Sequence, residues 1–332
     1  MKKGLLTNVI AVDVEPDYGY AVRLTYSNGA HRITHGNDLG LNNAAACDLA
    51  KDKGHTKFML RTVGVNCPAG EEFLLPWWAE AIGHTQRDRG NTAMRTADQA
   101  AGYIDQNMGY PVYLKPVDGS KGGDIFFAHN KTELEMVTRL YNEKRIRVIM
   151  VETPVRMPDY RVVLLDGELI SAYRRVPLTV VSDGVSTVKE LLARLQKQYD
   201  SEGRLTRLDP EDERIRHYLT QHNMTVLDVP EAGRSLSLVA VSNLSAGGTS
   251  EDVTDSIHKR WIDLGARIAE NFNLRLIGLD LGCEDITSST AQYSVIEVNS
   301  SPGLDHYALS GEAQKELVDR LYTKVLNAFP AR

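Results

Sequence analysis

Apolar and polar positions alternate along residues 8 to 35, the period of half-buried strands, and Ser27-Asn28-Gly29 supplies a hairpin turn. The period then lengthens. From Ala44-Ala45-Ala46 to Leu60 the spacing predicts a helical region over 43–63, stopped by Gly64 and broken by Pro68. A loop and a short helix near Trp77 and Trp78 follow.

Between 111 and 173 short apolar runs dominate. Val112-Tyr113-Leu114 reads as a buried strand entering Lys115-Pro116, Ile125 to Ala128 as a second and Val148 to Val151 as a third, ending at Glu152. Lys131 to Tyr141 is helical. Tyr160 to Leu165 and Glu168 to Tyr173 form a hairpin across Asp166-Gly167. Thr187 to Tyr199 is a helix with Ser186 as N-cap. Residues 200 to 234 are polar, hold one short helix over 213–221 and read as an insertion. Strands at 236–241, 276–281 and 293–298 and helices at 256–272 and 312–329 complete the pattern. No repeat is present, and the class is mixed α and β.

At 332 residues the chain holds two or three packed units. Its 38 Lys and Arg against 44 Asp and Glu give a net charge of −6, which argues against nucleic-acid binding through phosphate neutralisation. No apolar run reaches the roughly 18 residues of a membrane span. Met1-Lys2-Lys3 before Leu5 to Val14 mimics a signal peptide, but Thr7, Asn8 and Asp13 interrupt it, so an opening strand is expected. Cys47, Cys67 and Cys283 fit no zinc or redox spacing and read as reduced thiols of a cytoplasmic protein.

The P-loop and the dinucleotide fingerprint are both missing. Chemistry concentrates elsewhere. Glu297 and Asn299 are i, i+2 on one strand and share a face, and Asp280 joins them if the two strands are neighbours. Three oxygen ligands suit a hard ion such as Mg²⁺. Solvated strand ends are the plain alternative. The loop Asp118-Gly119-Ser120-Lys121-Gly122-Gly123, directly after Lys115, has the composition of a phosphate cradle or of an ordinary hairpin turn. Asn243 to Thr249 is a second glycine-rich segment. Arg174-Arg175 is a candidate clamp for phosphate or carboxylate.

In this order the segments resemble the ATP-grasp ligases. Val295-Ile296-Glu297-Val298-Asn299-Ser300-Ser301-Pro302-Gly303 is similar to a metal-binding strand and turn shared with the D-alanine–D-alanine ligases. Glu152 through Asp159-Tyr160-Arg161, Arg174-Arg175-Val176-Pro177, Asp183 to Thr187, Asn243-Leu244-Ser245 with Gly247-Gly248-Thr249, and Asp252 to Asp255 resemble the ATP-grasp domain of cyanophycin synthetases. The resemblance runs from about 41 to 311.

It implies an α+β ATP-grasp fold with two lobes closing over ATP. The expected layout is an N-terminal β-containing segment over 1–42, a small lobe with flanking helices over 43–150, and a large lobe over 151–332. It makes Lys57 and Lys115 phosphate contacts, with Ser120, Lys121, Gly122 and Gly123 over the triphosphate. Glu152 begins the adenine hinge, and Asp159 is also placed at the nucleotide. Asp280, Glu297 and Asn299 hold Mg²⁺, or Mn²⁺ in its place. Arg174, Arg175 and Asn243 face the transferred phosphate. Gly247, Gly248, Ser301, Gly303 and Asp305 face the amino-acid or peptide substrate. Asp305 stands where the family typically has a basic residue, so it is expected to attract a cationic amino acid. The chain matches only the ATP-grasp part of those synthetases, which points to a free-standing, ADP-forming carboxylate–amine ligase. A nucleotide sensor or scaffold without turnover is the rival, and a polymer-forming ligase a further alternative. The reading includes no nucleic-acid or membrane partner and leaves a homodimer open.

Overall fold

A computed structural model describes residues 4–88, 95–118, 124–204, 206–239, 242, 244, 247–309 and 311–328. The chain opens with a three-stranded antiparallel sheet, β1 (Val9–Val14), β2 (Ala21–Tyr26) and β3 (His31–His35). Val9, Leu24 and Tyr26 turn one face inward against Leu326 near the C-terminus.

The expected helix over 43–63 is two helices, α1 (Ala44–Lys51) and α2 (Lys53–Thr62). Asp52 divides them. Its extended backbone ends α1, while its carboxylate accepts from the His55 N–H and caps α2.

The small lobe follows: β4 (Gly70–Leu74), α3 (Pro76–Asp88), β5 (Arg95–Thr96), α4 (Ala100–Asn107), β6 (Val112–Pro116), β7 (Phe126–Ala128), α5 (Lys131–Glu143) and β8 (Val148–Glu152). The sheet order is β5-β4-β8-β6-β7. Phe73, Val112, Leu114, Ile149 and Val151 fill one face together with Ile104, Leu134 and Val137 of the helices. Tyr113, Lys115, Met150 and Glu152 point to the other face, as strand alternation and register require.

The large lobe adds β9 (Asp159–Leu165), β10 (Glu168–Val176), β11 (Thr179–Val181), α6 (Val188–Ser201), α7 (Glu213–Gln221), β12 (Ser235–Ser237), β13 (Thr249–Asp252), α8 (Lys259–Asn271), β14 (Leu276–Cys283), β15 (Tyr293–Asn299), α9 (Asp305–Ala308) and α10 (Glu312–Asn327). Its sheet runs β13-β10-β9-β14-β15. The β9–β10 turn has Asp166 at φ 52° and Gly167 at φ 83°, the paired positive angles of a two-residue hairpin. On α8 the stripe Trp261, Leu264, Ile268 has helical spacing and packs on Val162, Leu164, Ile277 and Leu279.

Two packing results differ from the sequence expectation. Ala46, Ala50 and Leu60 of α1 and α2 join the core of the large sheet, not that of the small lobe. The insertion also extends further than 200–234. Leu178, Val180, Leu191, Leu192, Ile215, Leu219, Leu236 and Leu238 form a core of their own around the β11–β12 pair. The N-cap of α6 is Thr187, not Ser186. Thr187 and Glu190 form a reciprocal capping box, whereas the Ser186 hydroxyl donates to Asp183.

Candidate active site

One face of the large sheet is divided along its length. Val163, Leu165 and Leu276 occupy one half beneath Tyr307, Val318 and Leu321 of α9 and α10. The other half is polar. The registers align Asp252, Tyr173, Arg161, Asp280 and Glu297 as neighbours on five successive strands. Arg175 and Asp159 form the next row.

Asp280 is buried, and Arg161 Nε lies 2.5 Å and Arg175 Nη2 2.9 Å from its carboxylate oxygens. The same Arg175 nitrogen is 2.8 Å from Asp159. Burial pushes the Asp159 carboxyl up, against the pull of Arg175, and the nearby Asp280 charge adds to the rise. Asp159 and Asp280 hold the Arg175 guanidinium above its ordinary range even though burial acts the other way. Arg175 is thus a fixed cation clamped by two carboxylates. The neighbouring Arg174 projects from the other face, half-exposed, 3.3 Å from Glu251 on β13. Period-2 alternation separates the pair. The structure brings Arg175 to the cluster and leaves Arg174 out of it.

A second buried group faces this one from the small lobe. Glu152 binds both Lys57, at 2.8 Å, and Lys115. Burial would raise the Glu152 pKa, but Lys115 and Lys57 outweigh it and the carboxyl lies below its ordinary value. Burial depresses the Lys57 ammonium against the opposing effect of Glu152. Lys57 also donates to the Pro68 carbonyl at 3.0 Å. The Glu152 side chain therefore neutralises the two lysines. Beside it, burial pushes the Tyr113 phenol up to about 12, with Tyr218, Glu152 and Asp159 adding to the effect.

Lys53 was missed by the sequence reading. It is buried, one helical turn before Lys57 on α2, and its ammonium lies 3.5 Å from Glu297. The i, i+4 spacing of Lys53 and Lys57 was the available signal, because it places both on one helix face. Asn42 was also missed. Its amide nitrogen donates to the carbonyls of Leu276 and Ser300 at 2.8 and 2.7 Å, stapling the turn after β15 to the start of β14.

The proposed metal ligands converge as far as the backbone dictates. Asp280 and Glu297 are directly opposed across β14 and β15, which puts their Cα atoms about 4.5–5.5 Å apart. Asn299 opposes Gly278 on the same face. A Cβ on Gly278 would lie 2.7 Å from Pro302 and 3.0 Å from Arg161, so only glycine lets the turn after β15 close over the strand. The Asn299 amide nitrogen is buried without a hydrogen-bond partner. Two carboxylates and an amide oxygen fit a hard divalent ion. Such an ion would share or replace the arginine contacts of Asp280 and the Lys53 contact of Glu297. Among the described residues no group of three or more His, Cys, Asp or Glu is placed to hold a metal ion, so the set rests on two carboxylates and the Asn299 amide.

The remaining expectations divide. Ser120, Lys121, Gly122, Gly123 and Asn243 lie outside the described residues. Gly247 and Gly248 are buried, and their carbonyls accept from the Tyr199 hydroxyl and the Arg204 guanidinium, both at 2.7 Å. Gly247 has φ 96°, and a Cβ there would lie 2.7 Å from Leu208. Insertion packing accounts for the glycine at 247. Ser301 and Gly303 lie in the turn after β15, and Asp305 is exposed as the first residue of α9.

No family model matches the chain. It is 30% identical over 292 residues to a cyanophycin synthetase of Geminocystis herdmanii, covering 85% of this chain and 30% of that protein. It is 26% identical to a glutathione biosynthesis bifunctional protein of Mannheimia succiniciproducens, covering 85% of this chain and 36% of the relative. The crystal structure of a bifunctional glutathione synthetase from Pasteurella multocida superposes with a TM-score of 0.54 at 20% identity, over 95% of this chain and 42% of that one. The chain has the ATP-grasp fold and, over its matched length, is related to cyanophycin synthetase. It spans about 30% of the length of the cyanophycin synthetases it matches. No helix among the described residues is long and apolar enough to cross a membrane.

Proposed function

We propose that this chain is an ADP-forming ligase, joining an amino-acid or peptide carboxylate to an amine at the expense of ATP. One observation carries the reading. In a chain of net charge −6, the facing polar surfaces of the two lobes gather five cationic side chains, Lys53, Lys57, Lys115, Arg161 and Arg175, against four carboxylates, Glu152, Asp159, Asp280 and Glu297. Cations already seated beside paired carboxylates suit a polyanion accompanied by a divalent ion.

In this reading the substrate carboxylate attacks the γ-phosphate of ATP, ADP leaves, and the amine then displaces phosphate from the acyl phosphate. Mg²⁺ held by Asp280, Glu297 and Asn299 would neutralise phosphate charge. The chain's own residues do the positioning. Lys115 exchanges its Glu152 contact for phosphate oxygens, and Lys53 stands beside the metal carboxylates. Arg161 and Arg175 are prepositioned donors for charge on the transferred group, since their partners hold them before substrate arrives. Asp305 would favour a cationic amino acid at the turn after β15. The amine could equally be the end of a growing peptide.

The test is ADP release with amino acids supplied singly and in pairs. A ligase needs both an acid and an amine and yields one ADP and one phosphate per amide. ATP binding without stimulated ADP release would make the chain a sensor or scaffold. AMP and pyrophosphate as products would replace the acyl-phosphate route with adenylation.

A further inference from the structure

The insertion does not stop at the large lobe. Its helix α7 reaches across to β7, the edge strand of the small-lobe sheet. His217 Nε2 donates to the Phe127 carbonyl at 2.8 Å, and the Gln221 amide donates to the same carbonyl at 2.6 Å. The Gln221 amide also donates to Glu133 of α5 at 2.7 Å. The His217 ring meets the edge of Phe126 at 5.5 Å between centroids. At the start of α7, Glu213 accepts from Lys144 at 2.9 Å, and Lys144 also holds Asp124 at 3.0 Å. The seam also holds a small cavity lined by Ile125, Phe126, His217, Tyr218 and Val239, so apolar side chains of both lobes flank the polar ties.

We propose that α7 is a strap, in which His217 and Gln221 are positioning residues that set the separation of the two lobes. An edge strand exposes carbonyls that need donors. Here the donors come from the opposite lobe. Losing them releases β7 and, with it, the sheet that carries Lys115 and Glu152. The effect on nucleotide rests on the ligase reading above; the effect on lobe separation does not.

The experiment measures lobe separation directly, without nucleotide. Spin labels at Met136→Cys on α5 and Arg267→Cys on α8, in a Cys67→Ser background, report the distance between exposed positions of the two lobes. With the strap intact the distance distribution is narrow. His217→Ala with Gln221→Ala should broaden it and move it to longer distance. Glu213→Lys reverses an exposed charge in the first turn of α7 and leaves the buried Ile215 and Leu219 in place, and it should broaden the distribution in the same way. Adding Lys144→Glu to Glu213→Lys should narrow it again. In the paired alanine variant a non-hydrolysable ATP analogue should bind about tenfold more weakly if the competent arrangement falls to about a tenth of the population. His217→Gln, which keeps a donor, should recover most of that loss. An unchanged distance distribution in the folded variants overturns the strap. A broadened distribution in a protein that never releases ADP overturns the ligase reading and leaves the strap standing.

Discussion

Arg175 lies 2.9 Å from Asp280 and 2.8 Å from Asp159, so one guanidinium joins the strand of the proposed metal ligands to the strand that enters the large lobe. Its chain neighbour Arg174 takes no part. The consequence is a sharp contrast between adjacent residues. Arg175→Ala leaves the buried Asp159 without its paired guanidinium and Asp280 with Arg161 alone, and should cost about 3–5 kcal/mol of stability, with loss of ATP-dependent turnover. Arg174→Ala removes a half-exposed pair with Glu251 and should cost at most about 1 kcal/mol, with turnover close to the parent. Denaturant unfolding and ADP release measure both. Equal effects from the two substitutions would contradict the face assignment.

Glu152 predicts an acid limit. Its folded pKa lies below the ordinary 4.5, so its contribution to stability is complete above that value and disappears as pH falls through the lowered folded pKa. Glu152→Gln should flatten that part of the stability profile. It should also destabilise the protein at pH 7 by about 3–5 kcal/mol, because Lys57 and Lys115 lose their shared buried counter-charge. Thermal unfolding between pH 3 and 7 checks both statements.

Lys53 and Lys57 should behave differently from one another. Lys53→Ala removes a cation beside Glu297 and should weaken ATP-dependent turnover while the fold survives. Lys57→Ala breaks a buried pair within the Glu152 group and should cost stability as well as turnover. A charged hydrogen bond to phosphate is worth about 1.5–3 kcal/mol, so the Lys57 loss should lower kcat/KM by tenfold or more. Thermal shift assays separate the two kinds of loss.

Metal dependence should follow the oxygen ligands. Asp280→Asn and Glu297→Gln should each raise the Mg²⁺ concentration needed for half-maximal ADP release. Gly278→Ala should act indirectly. The added methyl pushes on Pro302 and should cost about 1–3 kcal/mol as overpacking. An unchanged Mg²⁺ requirement in both ligand variants would remove these residues from the metal site.

Asp305 carries the substrate proposal. Its carboxylate is exposed at the start of α9, open to an ammonium or guanidinium. Asp305→Asn should lower kcat/KM for cationic amino acids relative to neutral ones, with ATP affinity unchanged. The same preference in both proteins would assign Asp305 to the helix start alone.

Most elements were legible because their signals are local. Asp166-Gly167 takes the positive φ pair that its composition suggests, and α5 and α7 sit where their apolar period places them. The common face of Glu297 and Asn299 follows from strand alternation alone. The short strands β4 and β11 escaped, since a few residues beside glycine or proline carry little period.

The sequence by itself determined the local pattern: the order of its motifs, the oxygen-rich strand, and the lysines that its resemblance to the ATP-grasp ligases singles out. Tertiary structure decided the partners. Only the register of β9, β14 and β15 sets Arg161 and Glu297 on either side of Asp280. Only folding shows that Glu152 is taken up by two lysines, or that α2 packs on the large sheet. The reason is physical. A local pattern states which face a side chain occupies, whereas the charge balance of a buried site depends on which distant strands lie next to one another. Covering the same carboxylates with different neighbours would reverse their pKa shifts without changing a residue of the motifs.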